Sequence, residues 1–408
     1  MSRRTHAHES HALGTARALA GTGPSHAIDI VLERLARGDA EAAQTWSVLL
    51  HGGLLPALAY ACEQRDGPTV NGPLRESLRS ALDVNTLRNA LLRRETIEAS
   101  RALLDVEITP LLMKGIWLAH ERYPHPGIRT MADVDLIVPV GTRERARRAL
   151  EAIGFRRVPP AGPDGADTWT DTFTRPAALP GGETSVELDL HDALRMSRAR
   201  EWPVERLWQH AHRTRFGPVT VLTPSREAGL LYLAAHVFKH GFDLRHALVA
   251  IGDASAILHG DDGLDLEWMD AELQDTRDAL AVYLLLTYLG DVPTSQGREL
   301  HARVSRRLEQ RGLRRDADRL LAAASQLTLL SGTDFSLFDV GEQQSMVLLL
   351  RRLVAGAFRW RGRVRHGESG SLEGVGLARL ARRANWRYAY TTFLAGRLHA
   401  RSEPPIPS

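Results

Sequence analysis

The sequence predicts an α+β protein, with a small mixed-sheet core flanked by N-terminal and C-terminal helical segments. Apolar residues recur at three- and four-residue spacings from Ile28 to Asp105, and again after Pro224, which is the period of amphipathic helices. Between about residues 106 and 225 that period gives way to short apolar or alternating runs, the mark of strands. A length of 408 residues is more than one ordinary domain usually holds.

The elements follow in order. Residues 1–25 are rich in Ala, Gly, His and Ser without an apolar period, and are expected to be disordered. Residues 26–105 form a helical N-terminal segment. The core, 106–225, opens with ITPLLMKG, a buried strand stopping at a glycine, and IWLAHERY, a short helix. PHPGIRTMA is a loop of turn formers. DVDLIVPV is a strand with one wet end, and GTRERARRALEAIGF is an amphipathic helix with Thr142 as N-cap and Gly154 as stop. After a loop from Pro159 to Gly165 come two more strands, TWTDTFTRP and TSVELDLHDAL, joined by a Pro/Gly turn. Residues 226–330 form a helical domain and 331–408 a basic helical region, with breaks near Gly260, Gly290 to Gly297 and Ser331 to Phe338.

Composition narrows the function. The chain is 43% hydrophobic and 25% charged, ordinary for a soluble globular protein. A single cysteine, Cys62, excludes an intramolecular disulfide and a Cys-based zinc cluster, and reads as a small buried hydrophobe. Apolar runs such as Ala279 to Leu289 are too short to span a bilayer, and the start, MSRRTHAHESHALG, lacks an export signal's apolar stretch. A cytoplasmic protein without integral membrane association is therefore expected. Of 52 cationic side chains only two, Lys114 and Lys239, are lysine. Residues 351–408 hold 12 Arg against three Glu. That basic tail has three open readings: nucleic-acid contact, an anionic membrane surface, or a solvated helix face.

One constellation carries chemistry. Asp133 and Asp135 are two apart on an expected strand, so both leave one face while Val134 and Leu136 enter the core. Glu187, Asp189 and His191 share one face of a later strand. If the strands are neighbours, Asp189 completes a three-carboxylate cluster, which repels itself unless cations intervene and so suits magnesium. Alone, D-x-D reads more readily as the solvated face of an edge strand than as a site. Its neighbours favour the site: Lys114-Gly115 opens a helix and offers N–H groups with a cation, and Arg129 lies four residues before Asp133. Together these groups suit a nucleoside triphosphate.

The stretch from LLMKG through DVDLIV to EAIGF, followed by VELDLHDAL and LLYLAAHVFKHGFDLRHALVAIGDASAIL, resembles the uncharacterised nucleotidyltransferase family of the DNA polymerase beta-like superfamily. The likeness spans roughly residues 30 to 290. Ala132 stands where that family usually has Gly or Ser, and a long insertion separates Phe155 from Glu187. The resemblance implies transfer of NMP from an NTP to an acceptor hydroxyl, of a small molecule or a protein, with release of pyrophosphate. Asp133, Asp135 and Asp189 would be catalytic and would hold two magnesium ions, with manganese as an alternative, about 3.5–4 Å apart. Lys114, Gly115 and Arg129 would bind the triphosphate. Two rival functions are a catalytically silent nucleotide-binding scaffold of the same fold and an RNA-binding regulator acting through the basic tail.

Other residues read less sharply. His236 and His240 have a zinc-ligand spacing, but no glutamate follows the first and no third ligand is evident, so histidines bonded where helices meet the core are expected. Lys239 between them is either a nucleotide contact or a surface lysine. His191 orients acceptor or water, or is structural. Asp253 caps a helix or bonds a histidine. Trp202, Trp208 and Trp268 are core residues rather than base-stacking platforms.

Overall fold

A computed structural model describes residues 14–318, apart from 22–25, 65–69, 71, 160–169, 180–181, 196–200, 241–243, 260–262 and 316. The basic tail and the loop after Pro159 fall outside the described residues. After a short helical run at 14–19 come α1 (His26–Ala36), α2 (Ala40–His51), α3 (Leu55–Glu63) and α4 (Gly72–Asp105). The 34-residue α4 closes on a left-handed residue, Glu107 at φ 58°; its N–H bonds the Leu104 carbonyl, and the Ile108 N–H bonds that of Leu103.

Strands occur only from Leu111 to Thr223 among the described residues. They are β1 (Leu111–Leu112), β2 (Val134–Ile137), β3 (Arg156–Arg157), β4 (Thr170–Leu179), β5 (Gly182–His191), β6 (Leu194–Arg195), β7 (Glu201–Trp202), β8 (His212–Phe216) and β9 (Val219–Thr223). Interleaved helices are α5 (Lys114–Glu121), α6 (Arg143–Ala152) and α7 (Glu205–Gln209). The main sheet has seven strands in the order β3-β4-β5-β2-β1-β9-β8. It is mixed: β2–β5 and β1–β9 run parallel and the other pairs antiparallel. Helices α8 (Arg226–Lys239), α9 (Leu244–Leu258), α10 (Leu266–Glu272), α11 (Thr276–Leu289) and α12 (Ser295–Gln310) follow.

One apolar cluster joins the helices to the sheet. Val134, Leu136, Val186, Leu188, Leu190 and Phe173 are buried on β2, β5 and β4, each worth roughly 1.5–3 kcal/mol of transfer free energy. Helix α11 is buried nearly all round because it runs through the helical layer, which explains its uninterrupted apolar sequence. Among the described residues no single helix is long and apolar enough to cross a membrane.

Several expectations change. Residues 14–21 lie in the stretch expected to be disordered, yet Ala16 is buried and the Arg17 guanidinium donates to the Tyr288 carbonyl at 2.6 and 2.9 Å. Thr142 stands at the start of α6 without capping it; its hydroxyl donates back to the Pro139 carbonyl. Cys62 is only partly buried. The β8–β9 hairpin, centred on FGP, follows from no reading above; its Gly217 takes φ 63°, which a tight turn requires.

Candidate active site

Strand register builds the site. In the parallel β2–β5 pair Asp135 stands opposite Asp189, and Ile137 opposite His191. In the antiparallel β4–β5 pair Asp189 faces Thr172, and His191 faces Thr170. Period-two alternation therefore lays Asp135, Asp189, His191, Thr170 and Thr172 on one face of three strands, with Val134, Leu136, Leu188, Leu190 and Phe173 on the other. The Thr172 hydroxyl donates to Asp189 Oδ1 at 2.6 Å, and Thr170 Oγ lies 3.2 Å from His191 Nδ1. His191 Nε2 lies 3.1 Å from Asp135 Oδ1. Asp133, half-buried, precedes β2 by one residue.

Helix α4 fastens the loop that delivers Asp133. Asn85, Arg88 and Asn89, at i, i+3 and i+4, share one helix face. The Asn85 amide donates to the Gly127 and Arg129 carbonyls, and Asn89 to those of Pro126 and Arg129. Arg88 donates to the carbonyls of Met131 and Ala132. A Cβ on Gly127 would lie 2.0 Å from Thr86 Oγ1, so only glycine lets the loop sit this close.

Lys114 takes φ 50°, a left-handed conformation costly for a residue with a Cβ. Its ammonium lies 2.7 Å from Asp135 Oδ1. Burial alone would lower the Lys114 pKa, but Asp135 outweighs it and holds the ammonium above its usual range. Burial would raise Asp135, but Lys114 and then His191 hold it well below the carboxylate range. The neighbouring acids go the other way. Asp133 is pushed up by burial and by Asp135, and Glu187 by burial and by Asp189.

Asp133, Asp135, Asp189, His191 and Lys114 are thus brought together. Gly115 lies beside them, but Met131 and Arg129 occupy the space against its Cα: an added Cβ would be 2.6 Å from Met131 Cγ and 2.9 Å from Arg129 Nη1. Close packing is reason enough for this glycine. Arg129 is spent largely on Asp253, with Nε 3.1 Å from Oδ1 and Nη2 2.8 Å from Oδ2, while the Tyr123 hydroxyl donates to Oδ1 at 2.8 Å. Asp253 is therefore neither a helix cap nor a histidine partner. Arg129 also lines a cavity of about 280 Å³ with Tyr60, Tyr123 and Leu248, which none of the carboxylates reaches.

His236 and His240 close α8, where His240 is the C-cap. Burial, then the charge of Lys114, pushes His236 well below the usual histidine range, so its ring is neutral. Lys239 is half-buried beside them. Trp202 is buried, whereas Trp208 and Trp268 are only partly so.

Tyr232 is a site residue that sequence reasoning missed. It is buried on α8, stacked with His236 at 5.8 Å and edge-on to Trp202. Burial pushes its phenol up to about 12, with Lys114 opposing and Asp135, Asp133 and Asp189 adding to the shift. It therefore stays protonated and remains a hydrogen-bond donor. In LLYLAAH it reads as one more apolar-face residue, and no local signal marks it.

The donor set suits a metal ion. Ligand atoms of Asp135, Asp189 and His191 all lie within 4.8 Å of one another. Two carboxylates suit a hard divalent ion such as magnesium, and the imidazole widens the fit to manganese. The ammonium already on Asp135 marks the point where positive charge is accommodated.

Comparison with known families matches residues 39–292 to the family described as "Uncharacterised nucleotidyltransferase". No curated protein matches the chain significantly. Among solved structures, an antigenic nucleotidyltransferase-like protein from Paracoccidioides brasiliensis is similar at 18% identity, over 55% of this chain and 91% of that one, with a TM-score of 0.28.

Proposed function

The chain belongs to the uncharacterised nucleotidyltransferase family, and on that premise we propose that it moves an NMP group from an NTP to an acceptor hydroxyl. The observation that carries this reading is the in-register pairing of Asp135 with Asp189, with Asp133 adjoining and Lys114 on Asp135.

Asp189, oriented by Thr172, takes the proton of the acceptor hydroxyl as its oxygen bonds to the α-phosphorus. The bond from that phosphorus to the bridging oxygen breaks, and pyrophosphate leaves. Magnesium held by Asp133, Asp135 and Asp189 would supply Lewis-acid charge at the phosphates. Lys114 exchanges Asp135 for a triphosphate oxygen, where a compact ammonium fits closely. N–H groups at the start of α5 face the same anion. Arg129, anchored by Asp253, adds positive charge near Asp133. Tyr232 donates a hydrogen bond from the α8 side.

The test supplies the full chain with magnesium, each NTP labelled at the α-phosphate, and a cell extract, and then identifies labelled products by mass. Labelled product together with pyrophosphate is expected from the wild-type chain and not from Asp135→Ala. Labelling that persists in a folded Asp135→Ala protein would exclude this site.

A further inference from the structure

Three histidines meet where α8 gives way to α9. His236 and His240 lie one turn apart at the end of α8, and His246 lies in the first turn of α9. The rings of His240 and His246 stack at 4.1 Å and 4°, and His236 stands 4.6 and 5.7 Å from them. Ring nitrogens of all three lie within 4.8 Å of one another, and all three residues are half-buried. His246 is the third imidazole in the cluster.

We propose that His236, His240 and His246 bind one zinc-class transition-metal ion at a site separate from the carboxylates. The donor chemistry selects the metal. Three imidazoles, the donors that meet here among the described residues, suit zinc, cobalt or nickel and suit magnesium poorly. The order H-x3-H-x5-H repeats the ligand spacing of one class of zinc proteases. Val237 stands where those enzymes carry the glutamate base, so the site binds metal without that hydrolytic chemistry.

Tetrahedral zinc at about 2.0–2.1 Å from each nitrogen needs the nitrogens roughly 3.3 Å apart. The ring nitrogens, within 4.8 Å of one another, would have to draw closer by up to about 1.5 Å on binding the ion. Three protein ligands leave a fourth position for water or an oxygen anion. His236 stacks on Tyr232, so the ion would sit one aromatic ring away from the nucleotide pocket. The site does not depend on the carboxylates being catalytic.

Cobalt(II) is the probe, added to the full chain after chelation and desalting. The expected result is the visible absorption of four-coordinate cobalt at one ion per chain, displaced by one equivalent of zinc and not by excess magnesium. His240→Ala and His246→Ala should each weaken binding by about 100-fold or more, since even outer-shell changes cost 10–100-fold. Asp135→Asn combined with Asp189→Asn should leave the spectrum in place. Circular dichroism without metal establishes that each variant is folded, and zinc should raise the melting temperature of the wild type but not of His246→Ala. Absence of the cobalt spectrum in folded wild-type protein would overturn the proposal. So would a spectrum that survives both histidine substitutions or vanishes with the carboxylates.

Discussion

Asp135 and Asp253 are both buried, 4% and 1% exposed, and each faces one strong cation. At Asp253, Arg129 spans both oxygens and Tyr123 adds a third bond. At Asp135, Lys114 and His191 converge on Oδ1 alone. A carboxylate gripped by a planar guanidinium fork is fixed in place, whereas one held at a single oxygen by a flexible ammonium can change partners. Similarly buried aspartates thus form a two-oxygen fastener in one place and, under the proposed function, an exchangeable ligand in the other.

The contrast is strongest in substitution experiments. Asp135→Ala should lower magnesium-dependent pyrophosphate release by on the order of 10³-fold, about 4 kcal/mol of barrier, with circular dichroism unchanged. Asp253→Ala should act on stability, costing about 3 kcal/mol or more in urea unfolding, because Arg129 would be left buried without its partner. If Asp135→Ala lost as much stability as Asp253→Ala, the distinction between the two aspartates would fail.

Smaller changes sharpen it. Gly115 lies between the two ion pairs, so Gly115→Ala should cost about 1–2 kcal/mol. A double-mutant cycle with Met131→Ala should return a coupling on the order of 1 kcal/mol, and additivity would show that Met131 is not what the new methyl meets. Lys114→Arg should slow turnover about tenfold, roughly 1.4 kcal/mol, with a smaller effect on stability.

The least change is expected from acid. The stabilisation from Asp135, whose folded pKa is depressed, is complete above the unfolded value near 3.9 and is lost as pH falls through the lower folded value. Asp133 behaves inversely. Its raised pKa means that the folded chain holds the proton more tightly, so its charge costs stability at neutral pH and the cost fades as pH falls toward about 3.9. Asp133→Asn should therefore exceed the wild type at pH 7 in magnesium-free buffer by less than about 1 kcal/mol, with the gap closing near pH 4. Urea titrations across that range measure it, and a gap that widened in acid would contradict the assignment.

What the sequence disclosed follows from how local each signal is. The D-V-D and E-L-D-L-H runs carry strand alternation and charge within a few residues, so the carboxylates and their shared face could be read directly. Thr170 and Thr172 join them only through β4–β5 pairing, and Tyr232 only because α8 packs over Lys114. His246 completes an H-x3-H-x5-H order that is legible in the sequence, but its convergence on the other two rings is not. In a continuous helix, residues six or ten positions apart do not stack on one face, and only the break after His240 turns His246 back toward its partners. Arg129 was recognised as a cation near the site, but its pairing with Asp253, 124 residues away, has no sequence signature.

The grip of α4 on residues 126–132 is made through main-chain carbonyls. Every residue carries that oxygen, so the bonds themselves are blind to side chains, and only Gly127, where a Cβ would meet Thr86, is fixed by its type. The path of the loop is thereby uncoupled from its chemistry. The exposed Ala132 should tolerate variation while the path into Asp133 stays the same, whereas the Thr130 side chain packs against Gly53. Under the proposed function, a mutational library aimed at new acceptors would start at this exposed position, since the carbonyls that hold the loop are common to every residue.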